Sequence, residues 1–329
     1  MTLDRAHGSP AEAAAAASAG AARRSRRAGW RARLRRDWPL LAMTAPAIVL
    51  LFVFHYFPLL GNVIAFEDYS PFVGIIDSPF TGLANFQRLF GDPLFWHATL
   101  NTLEITAFQL VFYFPIPIAM ALLLNSILGQ RLKTLIQSVV YLPHFFSWVL
   151  VITIFQQMIG GAGLISQFLR EHNAGALDLM TNPHTFIVLV TSQAVWKDAG
   201  WGMIIFLAAL STIDTNQYEA AVVDGAGRWR LVWHVTLPAL RPVIIILLIL
   251  RLGDALTVGF EQFLLQRDAV GPGVAEVLDT YVYFTGIVNA DWAYAAAAGL
   301  FKGVVGLVLI LGANRLAHVF GEEGVYRRG

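Results

Sequence analysis

The chain is predicted to fold as an all-α membrane protein with six transmembrane helices and both termini on the cytoplasmic side. Three observations carry that prediction. Hydrophobic residues make up 57% and charged residues 14% of the 329 positions, and the mean hydropathy is +0.60, which is too apolar for an ordinary soluble enzyme. Six windows reach the roughly 20 apolar residues a helix needs to cross the hydrocarbon core, where only helices and closed barrels satisfy their own backbone. Lys and Arg gather in alternate connections, as short cytoplasmic loops require.

Residues 1–38 read as a disordered, basic cytoplasmic tail, because the start is mostly Ala, Ser, Gly and Arg and cannot bury enough apolar surface to offset ordering. The block 23–36 resembles the charged start of a signal peptide, but the apolar run behind it is too long and no small-residue cleavage site follows, so the first helix is read as a retained anchor. The six windows are 39–60, 99–124, 135–158, 186–210, 242–260 and 292–316. Connections at 77–93, 125–133, 160–183, 211–241 and 261–291 carry the Gly, Pro, Asn and Asp of loops. The organisation that follows is 39–96 for the first helix and an outer loop, 97–317 for the other five helices, and 318–329 for a cytoplasmic tail. Arg131, Lys133, Arg228, Arg230, Arg241, Arg327 and Arg328 fall inside, while Arg88, Arg170 and Arg267 fall outside.

The stretch 219–238, EAAVVDGAGRWRLVWHVTLP, is polar and basic between two apolar runs. Good helix formers at 218–223, a glycine turn at 224–227 and a second short helix at 228–235 that Pro238 stops would make a hairpin on the cytoplasmic side. Ala220 and Ala221 would let a partner approach closely, and Glu219, Arg228 and Arg230 could make charged contacts at the edge. Two readings fit: a docking surface, or a linker that returns the chain to the membrane.

The same stretch resembles the cytoplasmic signature of bacterial ABC importer permeases. That signature has Glu-Ala-Ala, three residues, Gly, nine residues, an aliphatic, any residue and Leu-Pro. Glu219, Ala220, Ala221, Gly225, Val235, Leu237 and Pro238 match it at every spacing, with Val for the commoner Ile. From about Trp38 to Gly324 the chain further resembles the LplB-type carbohydrate-uptake permeases, through AFEDYSPF at 65–72, GLANFQRLF at 82–90, YLPHFFSWV at 141–149, VWKDAGWGMIIFLAAL at 195–210, GFEQ at 259–262, DTYVY at 279–283 and GLFKGVVGLVLI at 299–310. The resemblance implies the type I ABC importer permease fold in a bacterial plasma membrane and 97–317 as the permease core. It makes 211–241 the coupling loop, in which Glu219, Ala220, Ala221, Asp224, Gly225, Leu237 and Pro238 meet an ATPase. It also implies the partners: a homologous second permease, two ABC ATPase subunits with ATP and Mg, and an extracytoplasmic binding protein that delivers an oligo- or polysaccharide for alternating-access import.

The three lysines support dependence on such partners. A phosphate-binding loop needs Gly-Lys-Ser/Thr, and Lys133, Lys197 and Lys302 do not supply it. No cofactor is expected on this chain, and its role is transport rather than catalysis. With no cysteine, disulfides, thiolate zinc sites and a cysteine nucleophile are excluded. The eight histidines show no ligand spacing, so no metal is expected, and His144 beside Pro143 is read as bonding a freed carbonyl in a kinked helix. Gly160–Gly163 is read as a loop. No nucleic-acid signature is present, and the arginines at 23–36 suit anionic lipid.

Charges inside a span face the bundle interior or a wet cavity. Lys197, Asp198 and Lys302 are expected to line the pathway or to pair between helices, and Trp196 and Trp201 offer indole faces on which sugar rings pack. The partners of Lys197 and Asp198 are expected on other helices, because neighbours on a helix point about 100° apart. Glu261 and Gln262 at the outer end of helix five, with Tyr281 and Tyr283 in the outer loop, extend that candidate pathway. Arg251 and Asp254, three apart, are expected to pair directly. Lys197, Arg251 and Lys302 would suit an acidic saccharide, but Asp198 and Asp254 nearly cancel them. A permease for a non-sugar solute, and a self-contained carrier or membrane enzyme, are the alternatives.

Overall fold

The computed structural model describes residues 37–127, 129–173, 178–319, 321 and 324. The arginine block at 23–36, most of the tail read at 1–38, and Arg327 and Arg328 in the tail read at 318–329 lie outside the described residues. The chain divides into two units, Met1–Asn62 and Val63–Gly329. Helix α1 (Trp38–Phe66) is the described part of the first unit, and its last turn belongs to the second. It is apolar all round, and none of its residues from Trp38 to Leu59 is buried.

The second unit runs α2 (Ala84–Gly91), α3 (Pro93–Asn125), α4 (Gln130–Tyr141), α5 (Trp148–Ile159), α6 (Leu164–Glu171), α7 (Phe186–Leu210), α8 (Thr215–Val223), α9 (Arg228–Gly253), α10 (Phe260–Val270), α11 (Leu278–Tyr283) and α12 (Trp292–Val319). Among the described residues five helical runs are long and apolar enough to cross a membrane: α1, α3, α5 with α6, α9, and α12. A sixth is reached when α7 and α8, bent by 75°, count as one span.

Small residues set the closest helix approaches. A Cβ on Gly200 of α7 would collide with the carbonyl oxygen of Val140 in α4. A Cβ on Gly306 of α12 would lie 2.7 Å from the carbonyl oxygen of Gly253 in α9. Glycines at such crossings let backbones touch, which is how helices gain van der Waals contact when both partners are equally apolar to lipid. Three clusters of buried side chains follow: Phe95, Tyr281 and Tyr294 joining α3, α11 and α12; Phe186, Val190 and Phe263 joining α7 and α10; and Leu124, Phe206 and Leu240 joining α3, α7 and α9.

Several expectations need correction. The window 135–158 is two helices, because Pro143 cannot donate in the ladder; the chain passes through a 3₁₀ turn at Leu142–Phe145 and an extended Phe146 before Ser147 caps α5. Pro238 does not stop a helix. A π turn at Val232–Thr236 absorbs its missing donor, and α9 runs unbroken from Arg228 to Gly253. The fifth window, 242–260, ends early at Gly253, and Gly259, at φ +106°, restarts the chain as α10. The stretch 261–291, expected as a loop, is mostly helical, and it buries Gln262, Phe263, Gln266 and Tyr281. The loops at 77–93 and 160–183 contain α2 and α6.

Candidate functional site

The polar module is built where α7 ends. Asp214 accepts from the backbone N–H of Asn216 at 2.9 Å and starts α8. Gly225, at φ +79°, ends it, with the N–H of Ala226 donating to the carbonyl of Ala221 at 2.9 Å. A residue with a Cβ would be strained at that φ, which is the reason for glycine there. The hydroxyls of Tyr218 and the buried Thr236 lie 3.1 Å apart, and Thr236 donates to the carbonyl of Leu231 at 3.2 Å, so the two arms are tied across the π turn. Leu240, fully buried beside Leu210, roots the second arm in the helix core. Glu219, Ala220, Asp224, Gly225 and Pro238 are exposed, while Ala221 and Leu237 are half-buried. Among the described residues Glu219, Arg228 and Arg230 form no ion pair, so the module carries its charges outward.

A second group of polar residues sits half-way along α7, where the break between α4 and α5 faces it. Lys197 is buried, and its ammonium donates to the carbonyl of His144 at 2.7 Å. Asp198 Oδ1 lies 2.8 Å from His144 Nδ1 and 3.8 Å from Lys197 Nζ. The contact ties the ring at the break to the carboxylate on α7. The imidazole stacks on Trp201 with centroids 4.5 Å apart and planes 6° apart. Trp196 packs against Phe155 and leaves part of its ring exposed, as does Trp201. The expectation that Lys197 and Asp198 find their nearest partners on another helical segment holds. The role expected of His144 does not: its own carbonyl is the freed acceptor, and its ring holds a carboxylate.

Arg251 donates to Gln109 Oε1 at 2.7 Å and does not pair with Asp254, which is exposed. The reason is the end of α9 at Gly253, which leaves Asp254 at the helix end instead of one turn along the same face. Thr106 donates to the carbonyl of Ala255 at 2.6 Å and satisfies a backbone group freed by that break. Lys302 of α12 pairs with Asp279 of α11.

The remaining candidates lie towards the end of the unit away from the module. Gln262 is fully buried; its amide donates to Gln193 Oε1 at 2.8 Å and to the carbonyl of Val190 at 2.9 Å, while Gln193 and Gln266 bond each other reciprocally at 3.0 Å. The hydroxyl of Tyr281 donates to Asp92 at 2.6 Å and meets Tyr294 at 2.9 Å. Burial pushes the Asp92 carboxyl up, but donors from Tyr281, the Leu94 backbone and Tyr294 outweigh it and hold it below the usual carboxylate value. Burial, with Asp92 beside it, pushes the Tyr281 hydroxyl upward. Gln262 and Tyr281 therefore spend their polar groups inside the protein. Glu261 is exposed in the first turn of α10, and Tyr283 packs on Phe260 at 5.1 Å. Sequence reasoning singled out His144 but gave it the wrong role, and it missed Gln109, Asp92 and Tyr294. For His144 the signal was available: a proline inside a span frees carbonyls, and a mid-span lysine must find one.

Residues 113–320 match the family described as the binding-protein-dependent transport system inner membrane component. The chain belongs to this family. Members of it are multi-pass inner-membrane permeases, so this permease is the transport subunit of an ABC importer and not an enzyme, with ATP hydrolysis on partner subunits. It is 44% identical over 87% of its length to the polygalacturonan/rhamnogalacturonan transport system permease YteP of Bacillus subtilis, covering 90% of that protein. It is 42% identical over 90% of its length to LplB of the same organism, covering 94% of it. The permease also matches a chain of a bacterial ABC transporter involved in import of the acidic polysaccharide alginate, with a TM-score of 0.79 and 35% identity, covering 88% of this chain and 98% of that one. These matches bear out the all-α membrane fold predicted from the apolar windows and the type I importer permease fold that the resemblance implies.

Proposed function

We propose that the permease moves an acidic oligo- or polysaccharide across the inner membrane by alternating access, and that its module at 211–241 takes the push of ATP hydrolysis from a partner ATPase. The observation that carries the cargo reading is the group at mid-span. Lys197 gives its hydrogen bond to a neutral carbonyl, and Arg251 gives its own to a neutral amide. Asp198 stays 3.8 Å from the Lys197 ammonium and Asp254 does not pair with Arg251, while the Trp148 ring lies 5.6 Å from that ammonium and the part-exposed Trp201 stacks on His144. Cations with indole faces suit the carboxylates and C–H faces of uronate sugars. Support comes from relatives named for polygalacturonan and rhamnogalacturonan, and for alginate.

In this reading Trp196, Lys197, Asp198 and Trp201 line the pathway, with Glu261, Tyr283 and Lys302 farther along it. Glu219, Ala220, Ala221, Asp224, Gly225, Leu237 and Pro238 form the ATPase contact. A second permease, two ATPases holding ATP and Mg, and an extracytoplasmic binding protein complete the importer. The termini and the module then face the cytoplasm. The test is ATP-driven uptake by the reconstituted importer, with labelled oligogalacturonides and neutral oligosaccharides of equal length as competing cargoes. Preferential uptake of the acidic cargo, reduced by Lys197→Met, supports the reading; equal uptake of both defeats it.

A further inference from the structure

The connection between α1 and α2 exposes more apolar surface than any role assigned so far requires. Phe72 is 98% exposed, Ile76 95% and Phe80 74%, with Val73 and Ile75 exposed beside them. The segment 69–76 carries no charge, and Asp68 and Asp77 flank it. Its fold is its own. Val73 and Gly74 donate to the carbonyl of Ser70, Ser78 Oγ donates to the carbonyl of Gly74 at 2.6 Å, and the N–H of Asp68 donates to the carbonyl of Pro79 at 2.8 Å. The base of the loop adjoins the ends of two candidate spans. Tyr69 packs on Trp292, the first residue of α12, with ring centroids 5.9 Å apart, and the loop leaves Phe66, the last residue of α1. Trp and Tyr at the ends of spans mark the membrane–water interface.

We propose that the 68–83 loop is an interfacial anchor, seating Phe72, Ile76 and Phe80 in the lipid headgroup zone at the end of the protein opposite the 211–241 module. A closed loop with its turns already bonded enters that zone without exposing much new backbone. Water is a poor host for so contiguous an apolar tip. A binding protein that docks and leaves in each transport cycle is a poorer fit than lipid, since residues 71–76 offer no side-chain donor or acceptor and would return to water between cycles. The flanking Asp68 and Asp77 then mark the wet rim.

The chain has no cysteine, so a single introduced thiol reports on one place. Phe72→Cys, Ile76→Cys and, as the rim control, Asp77→Cys are each labelled with an environment-sensitive fluorophore in the complete importer held in nanodiscs. Nitroxide-bearing lipids and aqueous iodide serve as the two quenchers. At positions 72 and 76 a blue-shifted emission lost to nitroxide lipid and insensitive to iodide is expected, with the reverse at position 77. Iodide quenching at 72 and 76 without lipid quenching overturns the proposal. So does shielding from both quenchers, which would place a neighbouring subunit on the tip, and so does shielding that appears only when loaded binding protein is added.

Discussion

Replacing Gly200 by alanine should loosen the permease at the point where its fold and its mid-span polar group meet. The new Cβ would fall on the carbonyl oxygen of Val140, a backbone atom that cannot swing aside as a side-chain tip does. Either α4 and α7 separate or both backbones deform, and overpacking of this kind costs about 1–3 kcal/mol. The separation also acts on chemistry, because Val140 lies four residues before His144, whose carbonyl takes the Lys197 ammonium and whose ring takes Asp198. A shift of half an ångström or more would stretch both bonds. The assay is thermal unfolding of the purified importer in detergent, followed by uptake in proteoliposomes. Lower thermal stability together with reduced uptake is expected, and Gly200→Leu should be worse in both. Wild-type stability for the alanine variant would refute the close approach of α4 and α7 from which the reasoning starts.

Other expectations can be checked in the same preparation. Glu219→Lys should weaken co-purification of the ATPase while membrane insertion, followed by protease protection, is unchanged; full ATPase-coupled uptake would count against the docking role. Gln193→Leu leaves the buried carboxamide of Gln266 short of partners between α7 and α10, and should lower stability by about 1–3 kcal/mol in equilibrium unfolding. Asp92 has a folded value below its ordinary 3.8, so its contribution to stability is present above that pH and is lost as pH falls through the folded value. Asp92→Asn should therefore flatten the acid limb of the thermal stability profile. Tyr281 is shifted the other way, so its contribution is present below its ordinary 10.0 and falls away as pH rises beyond it. Tyr281→Phe should reduce the alkaline loss.

Span number and the module were legible because each rests on a local signal. Apolar length reports a crossing, and Gly225 with its φ of +79° sits where the pattern asks for a turn. Partner identity was not legible: Pro143 marks a place where carbonyls are freed, but Lys197 lies 53 residues from His144 and no local pattern says which carbonyl it takes. Arg251 illustrates the same limit. Its neighbour Asp254 is three residues away, so a helical period predicts their pairing, yet α9 stops between them and Arg251 turns to Gln109, 142 residues distant. Pro238 misled in the opposite direction, since a proline stops a helix only where no wider turn precedes it.

The two interrupted spans explain why the charges lie where they do. A carbonyl released from the ladder is a stronger acceptor for a mid-membrane lysine than one already bonded within a continuous helix. The break before α5 frees the carbonyl of His144, which Lys197 takes, and the break after α9 frees that of Ala255, which Thr106 takes. Lys197 is thus held in place without a tight carboxylate partner, since its bond to a carbonyl neutralises nothing. That leaves a positive charge fixed in position 5.6 Å from the Trp148 ring and able to attract an anionic group that passes. Replacing Lys197 by methionine removes the charge and the carbonyl's partner together, whereas arginine restores both with a longer reach. If the positive charge matters for cargo, Lys197→Arg should recover uptake of an acidic oligosaccharide that Lys197→Met loses. If the lysine only braces the break, thermal stability and uptake should rise and fall together across both variants for acidic and neutral cargoes alike.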